Sequence, residues 1–412
     1  MTSRRWLILG VCILGFMQTH MHRVGFAPLI PDFISDLGIA YATAGTIMTA
    51  YFWTYTAVQV PIGVVTDRFG SRRVMLGFLV VLVAGVVAFT MSRTYTQSLL
   101  ARCLVGLGTA AVWLPGLRLI QEWFPPSERG RATGLFSAGG GLGGTAALVV
   151  IPLLAERFGW RYGYALLLLP LLLTLGLAFL LIGPPATPAH AAAAPRRGVA
   201  VASVPGAQRP LGALGRVLQA PEIWPFNLAV LFSYGGYLGL ITWLPTFLVQ
   251  QEGLSRAMAG AVTALMTAGT IVSWPMAGFL SDRLGRRKAI YLVSQGFGAL
   301  VCLAFALVVP GSGLVVAGTV ALISGLVLGG MVTPFVMVTE LFPPDLVGTA
   351  SGVVNTFCFV GGLFVPVALG WIVDVTGSFP AAFVACAVTQ ALSLGCAAFT
   401  RETGLRRAIM AG

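Results

Sequence analysis

Long runs of apolar residues, each bounded by proline, glycine or charged residues, dominate the chain; residues 74–92 and 161–183 are two of them. A bilayer core about 30 Å thick is crossed by roughly 20 residues of helix, at about 1.5 Å per residue. The pattern therefore predicts an all-α membrane protein with twelve transmembrane helices. The predicted spans are about 6–29, 41–64, 74–92, 97–122, 130–154, 161–183, 223–249, 258–280, 289–309, 313–341, 347–370 and 379–400.

Composition agrees with this pattern, and the positions of the charges give an orientation. Of the 412 residues 57% are hydrophobic and 9% are charged, whereas a soluble domain has about 25% charged residues. The net charge of +12 would suit a nucleic-acid partner, but most Lys and Arg residues lie in alternate loops and at both ends. Basic residues accumulate on the cytoplasmic side of membrane proteins. We expect both termini in the cytoplasm and no nucleic-acid partner.

The two halves of the chain repeat each other. The segment "GVVTDRFGSRR" (63–73) returns as "GFLSDRLGRRK" (278–288), at an offset of 215 in the numbering. The segment "EWFPPSERGRATG" (122–134) returns as "ELFPPDLVGTASG" (340–352), at an offset of 218. Repeated landmarks in nearly one register indicate a duplicated six-helix unit. We predict an N-terminal bundle over 1–183, a cytoplasmic linker over 184–220 and a C-terminal bundle over 221–412. The matched loop residues are Gly63, Asp67, Arg68, Gly70, Arg72 and Arg73 with Gly278, Asp282, Arg283, Gly285, Arg287 and Lys288.

These loops give the chain a recognisable signature. The pattern G-x-x-x-D-R-x-G-x-R-R/K between the second and third helix, found twice, resembles the major facilitator superfamily, as does "RCLVGLG" with Arg102 in helix 4. The resemblance implies two six-helix bundles around a central site that opens alternately to each side. It also implies that the loops form a conformational latch, in which Asp67 faces the start of the eleventh helix near 347–352 and Asp282 faces the fifth helix.

Arg23 is the intramembrane residue that most indicates a substrate, because charges inside a membrane are costly and usually functional. It lies about 17 residues into the first span; the alternative is that helix 1 ends early and Arg23 is interfacial. A guanidinium binds a carboxylate through two parallel hydrogen bonds. Together with "WFPPSERGRATG", Arg23 resembles the organic-anion (anion:cation symporter) branch of the superfamily. That branch implies that Arg23 grips the carboxylate, with Tyr55 and Asn355 in the pocket; Tyr237 of the seventh span is a further substrate-binding candidate.

Proton coupling has an unusual set of candidates. Members of that branch that carry sugar acids place an acidic residue just before the arginine and often another in helix 4, where this chain has His22 and Thr109. Histidine changes charge near neutral pH, so His20 and His22 are the coupling candidates, although either can equally be a packed core residue.

The sequence thus predicts a secondary transporter of a small organic anion, a monocarboxylate or a sugar acid, in a bacterial-type inner (plasma) membrane. The alternatives are a nitrate or nitrite transporter, a drug or neutral-solute exporter in which Arg23 is structural, and a non-transporting membrane sensor. The segments "SAGGGLGG" and "VGGLFVP" resemble the nitrate branch of the superfamily, which implies one substrate-binding arginine from each half, in helices 2 and 8. No nucleotide-binding loop and no catalytic or metal-ligand spacing occur in the sequence. We expect no enzymatic activity, no cofactor and no metal, and a monomer whose partners are the anionic substrate, protons and the lipid bilayer.

Overall fold

The structure is a computed structural model, described for residues 2–183, 210–343 and 346–403. Two 3-10 segments, Ala27–Leu29 and Leu328–Val332, join helices within it. The α-helices of the described residues are α1 (Thr2–Val24), α2 (Ile30–Leu37), α3 (Tyr41–Ala57), α4 (Gln59–Phe69), α5 (Ser71–Met91), α6 (Tyr95–Ala110), α7 (Trp113–Trp123), α8 (Pro126–Phe158), α9 (Trp160–Ala165), α10 (Leu168–Leu181), α11 (Pro210–Gln219), α12 (Ile223–Gln250), α13 (Arg256–Leu284), α14 (Arg287–Leu307), α15 (Leu314–Val327), α16 (Thr333–Leu341), α17 (Val347–Thr376) and α18 (Phe379–Ala398).

Eleven helical stretches within the described residues are long and apolar enough to cross a membrane. They correspond to eleven of the twelve predicted spans. The remaining one, 41–64, is divided into α3 and α4, which have 17 and 11 residues and are interrupted at Val58. The twelfth span stays a prediction for this pair of helices.

Prolines explain where several spans are interrupted. A proline has no N–H to donate to the carbonyl four residues earlier, and its ring clashes with that carbonyl. In five spans the carbonyl that is affected lies within one residue of the end of a helix or in a 3-10 segment. The pairs are Pro28 with Val24, Pro61 with Ala57, Pro115 with Ala111, Pro170 with Leu166, and Pro334 with Gly330. The interruption of the first span matters most, because it falls directly after Arg23.

Contacts divide the chain into two compact units. The first comprises 1–39, 46–198 and 255–264, and the second comprises 40–45, 199–254 and 265–412. These units differ from the predicted halves in two short segments, 40–45 and 255–264, which are exchanged. Residues 184–209 of the predicted linker lie outside the described part of the chain, and the rest of it contains α11. The predicted domain boundaries stay a prediction.

An aromatic cluster fills the first unit behind the interruption of the first span. Phe26, Phe33, Phe89 and Tyr164 are fully buried and Trp160 is nearly so. Their ring centroids approach to between 4.3 and 5.7 Å, mostly edge-on or tilted. Aromatic pairs prefer such arrangements and add to the energy of burial. The cluster holds the 3-10 segment and α2 against α5 and α9, and so fixes the position of the end of α1.

Candidate substrate site

The site begins with the broken end of α1. Arg23 is the penultimate residue of α1, and the span continues through the 3-10 segment and α2 to Leu37. The last carbonyls of a helix have no partner inside the helix. Arg23 therefore lies beside a carbonyl-rich helix end within a span of 34 residues, where the partial negative charge of the helix end favours cations. The helix itself ends at Val24, as the alternative supposed, while the span runs on to Leu37; whether Arg23 is interfacial stays a prediction.

Arg102 of α6 binds this helix end. Its side chain is fully buried, and its guanidinium donates to the carbonyl of His22 at 2.7 Å and, at 3.5 Å, to the carbonyls of Arg23 and Ile47. The bonds to His22 and Arg23 satisfy carbonyls that the interruption leaves without helical partners, and all three bonds replace the water that a buried guanidinium needs. Arg102, which the sequence placed near the start of helix 4, thus joins the end of α1 to α3.

The guanidinium of Arg23 lies among aromatic rings of α3. Its central carbon is 5.0 Å from the ring centre of Tyr55, 5.7 Å from that of Phe52 and 5.8 Å from that of Tyr51. Residues 51 and 52 lie four and three positions before residue 55, so all three side chains are on one side of α3, and the rings of Tyr51 and Tyr55 are nearly parallel. Ring faces attract a cation within about 6 Å. Arg23 and Tyr55, predicted to share a pocket, are therefore neighbours.

The two histidines of α1 have different surroundings. Arg23 donates to Nε2 of His20 at 3.5 Å, and Nδ1 of His20 is 3.3 Å from the carbonyl of Phe16. This arrangement fits a neutral His20 that carries its proton on Nδ1. His22 is fully buried, with Nδ1 3.0 Å from the hydroxyl of Tyr164. Its Nε2 has no hydrogen-bond partner in the part of the chain that the structure describes. His20, one of the two coupling candidates, is therefore in contact with Arg23.

The other two substrate-binding candidates belong to the second unit. Tyr237 lies on α12, with its ring centre 6.0 Å from that of Tyr234. Asn355 lies on α17 with an exposed side chain. Their role in a pocket with Arg23 stays a prediction.

The first charged loop joins α4 to α5. Asp67 forms an ion pair with Arg118 of α7, and Arg72 donates to the carbonyl of Phe179 at 2.9 Å. Gly70 between the helices has φ of 82°, a backbone conformation that glycine adopts without strain. The loop thus fastens the ends of α4 and α5 to α7 and α10. Its other predicted latch residues are Gly63 within α4, Arg68 against the ring of Phe69, and the exposed Arg73.

The second charged loop makes a denser set of bonds. Arg287 pairs with Asp282 and, at 3.1 Å, with Glu340. Lys288 donates from Nζ to the carbonyl of Ala398 at 2.6 Å. Gly285 has φ of 59°, so the repeated glycine has a positive φ in both loops. Gly278 lies within α13 and Arg283 is exposed. The latch role of both loops stays a prediction.

Three residues of this site were not assigned a role from the sequence. Tyr164 contacts His22 and receives a 3.5 Å contact from Arg102, Phe52 contacts Arg23, and Arg118 pairs with Asp67. Phe52 had a sequence signal, because it lies one turn before Tyr55. The other two come from distant segments, and only the packing of the helices brings them to their partners.

Comparisons with known proteins agree with this architecture. The family model of the Major Facilitator Superfamily matches residues 7–366 and again 250–409. The probable sulfoacetate transporter SauU of Cupriavidus necator is 25% identical over 92% of this chain and 90% of its own length. The hexuronate transporter of Bacillus subtilis is 27% identical over 87% and 85%, and the nitrite extrusion protein of the same bacterium is 24% identical over 93% and 92%.

A solved structure has the same fold. A bacterial homolog of the human lysosomal transporter Spinster, in an inward-facing and unoccupied conformation, superposes with a TM-score of 0.81 at 16% identity. The match covers 96% of this chain and 97% of that one. Together, this likeness, the family match and the eleven apolar helices show that the chain is an integral, multi-pass membrane protein of a non-enzymatic transporter family, and its described residues form helices and the loops between them.

Proposed function

We propose that this chain, which belongs to the Major Facilitator Superfamily, is a secondary transporter of a small organic anion, a monocarboxylate or a sugar acid. It would act in the plasma membrane by alternating access, with twelve spans in two six-helix bundles and both termini in the cytoplasm. Tyr55, Tyr237 and Asn355 would line the pocket with Arg23.

The observation that carries this proposal is the environment of Arg23. The guanidinium lies inside a membrane-spanning stretch, against three aromatic faces and the imidazole of His20. These four contacts hold the plane of the guanidinium in a fixed orientation. A planar guanidinium held between aromatic rings is suited to a carboxylate, because its N–H groups can bind both carboxylate oxygens at once. One arginine suits one negative charge.

The names of the relatives support an anionic substrate, but they do not decide whether it is organic or inorganic. Sulfoacetate and hexuronate are organic anions, whereas the nitrite extrusion protein is named for an inorganic one. The sister nitrate branch, which the sequence also resembles, uses one arginine from each half, in the second and eighth spans. Segments 41–64 and 258–280 of this chain contain no arginine. We therefore place the organic anion first.

A thermal-shift screen of the purified protein tests this proposal. The ligands are small monocarboxylates, sugar acids, the neutral amides of the same compounds, nitrate, nitrite and cationic drugs. We expect stabilisation by carboxylates and none by the amides, because the amide keeps the shape and loses the charge. Stabilisation by nitrate alone would favour the inorganic-anion alternative, and stabilisation by drugs or amides would favour the exporter.

A further inference from the structure

Two cysteines of the second unit are in contact, away from the surroundings of Arg23. Cys302 of α14 and Cys386 of α18 are both buried, and their Sγ atoms are 3.5 Å apart. The thiol of Cys386 also donates to the carbonyl of Gly236 in α12, at 3.2 Å. The residues of all three helices belong to the second unit, so the contact is internal to that unit.

The two thiols meet because α14 and α18 pack antiparallel along their length. Residue numbers rise along one helix and fall along the other from contact to contact. The pairs are Tyr291 with Ser393, Gly298 with Gln390, Cys302 with Cys386, and Phe305 with Phe383. These contacts on both sides of the thiols fix the register of the two helices, and with it the distance between the two sulfur atoms.

A small cavity adjoins the thiol pair. Its wall includes Cys302, Gly298, Ser324 and Gln390, and all of its lining residues except Tyr237 are buried. The cavity has room for about one water-sized molecule. Oε1 of Gln390 has no hydrogen-bond partner in the part of the chain that the structure describes. A small molecule that donates a hydrogen bond would satisfy this oxygen and would lie beside Cys302.

Joining the two thiols would create no charge inside the unit. Burial of an ion away from water is costly, whereas a disulfide is as neutral as the two thiols that it replaces. An S–S bond is about 2.05 Å long, so the sulfur atoms must approach each other by about 1.5 Å. Rotation of the two side chains between staggered positions moves a sulfur atom by more than that distance.

We infer that Cys302 and Cys386 form an oxidation site, at which hydrogen peroxide converts the two thiols into a disulfide that links α14 to α18. Hydrogen peroxide is little larger than water, carries no charge and donates hydrogen bonds, so it suits the cavity beside Cys302 and the oxygen of Gln390. The inference concerns the second unit alone and does not depend on the identity of the transported ligand.

The reaction has two steps, each of which releases one water molecule. The sulfur of Cys302 attacks one peroxide oxygen and the O–O bond breaks. The thiol proton leaves with the second oxygen as water, and Cys302 becomes a sulfenic acid. The sulfur of Cys386 then attacks that of Cys302, so that the S–S bond forms and the S–O bond breaks. The departing hydroxyl takes the proton of Cys386, and the peroxide has gained the two electrons that the thiols lost.

The test uses the full-length protein with only these two cysteines retained. Cys12, Cys103, Cys358 and Cys396 are replaced by alanine, and the purified protein in phospholipid nanodiscs is treated with hydrogen peroxide. After denaturation, the free thiols are alkylated and counted by intact mass. We expect both thiols to be lost together, with a mass lower by two hydrogen atoms and full recovery after reduction. The apparent Tm should rise by several degrees, because a cross-link between residues 84 positions apart constrains the unfolded chain.

A variant that retains Cys302 and Cys396 instead is the matched control. Cys396 lies ten residues beyond Cys386 on α18, which is about 15 Å along the helix axis, so it cannot reach Cys302. This variant should form no intramolecular disulfide. Dimedone, which reacts with sulfenic acids, should label Cys302 in it, because the second thiol is missing.

Two glycine variants test the role of the cavity. A Cβ on Gly298 would lie 3.5 Å from Leu328 and 3.6 Å from Gln390, so Gly298→Ala fills part of the cavity without a clash. It should slow disulfide formation severalfold. Gly296→Ala is its control, because a Cβ there would meet nothing within 4 Å, and it should react at the unaltered rate.

Three results would count against the inference. Two thiols that stay alkylatable in the protein with Cys302 and Cys386 would overturn it. A disulfide that forms equally fast between Cys302 and Cys396 would overturn it as well, because the reaction would then not depend on the contact between α14 and α18. Equal rates for Gly298→Ala and Gly296→Ala would overturn the assignment of the cavity to the oxidant.

Discussion

Replacing Arg102 with methionine should destabilise the protein through the broken end of α1. The bond to the carbonyl of His22, at 2.7 Å, is the short one, and the contacts with Arg23, Ile47 and Tyr164 are at 3.5 Å. A hydrogen bond to a charged group contributes about 1.5–3 kcal/mol, and a buried carbonyl without a partner costs about 1–3 kcal/mol. We assign the full free energy of a hydrogen bond from a charged group to the short contact, and only a small contribution to each of the longer contacts. Arg102→Met should then lower the free energy of unfolding by about 2–4 kcal/mol.

A lysine variant at the same position separates the effect of the positive charge from the effect of the guanidinium geometry. Arg102→Lys keeps the positive charge at the helix end, but a compact ammonium cannot bridge carbonyls of α1 and α3 as a planar fork does. It should recover about half of the loss. The assay is denaturant unfolding of the purified protein in detergent, with Arg93→Met as the control at an exposed arginine. Arg102→Met as stable as the wild type, or no less stable than Arg93→Met, would refute the assignment of Arg102 to the end of α1.

Further predictions concern the loops, the packing and the coupling. Asp67→Asn, which removes one charge of an ion pair, should slow transport severalfold and leave ligand affinity unchanged; uptake and binding are compared in one preparation. Gly106→Val should abolish folded protein, because a Cβ there would overlap the carbonyl of Tyr51; yield after size-exclusion chromatography measures this. His20→Gln should flatten the pH profile of uptake, which we expect to fall as pH rises, because a protonated His20 no longer accepts from Arg23 and leaves that guanidinium for the anion.

Each of these predictions has a control or a contrary outcome. For Asp67→Asn, weaker binding with unchanged turnover would contradict a latch. Gly77→Val is the control for packing, since a Cβ at Gly77 meets nothing within 4 Å, and equal yields of the two variants would contradict the close approach. For coupling, a pH profile that responds to His22→Gln and not to His20→Gln would contradict the role of the pair of His20 and Arg23.

The sequence predicts well what depends on pattern and repetition. Apolar runs located eleven of the spans, and the offset between the charged loops correctly paired Gly70 with Gly285, which both have a positive φ. Such features are local, because span length is set by the bilayer and a positive φ by the absence of a Cβ. The interruption after Arg23 also has a local cause, because Pro28 lies four positions beyond Val24. The apolar runs locate the span but do not show where its helix is interrupted.

The contacts within the site depend on how the helices pack, and they were harder to predict from the sequence. The sequence placed Arg102 in helix 4 as part of the family signature, but it did not predict the contact with the carbonyls of α1, which become available only because α1 ends at Val24. Tyr164 reaches His22 across 142 residues of chain. The spacing of apolar and polar residues does not predict such contacts, because they depend on how several helices are placed relative to one another.

The affinity of Arg23 variants for a carboxylate tests the central claim most directly. Two hydrogen bonds from a guanidinium to a carboxylate, at about 1.5 kcal/mol or more each, correspond to at least about 100-fold in dissociation constant. With the best monocarboxylate from the screen, calorimetry should show that loss for folded Arg23→Ala. Arg23→Lys should recover less than about tenfold, and Arg93→Ala should bind as the wild type does. Wild-type affinity in Arg23→Ala would contradict the account, because the anion would then be held elsewhere.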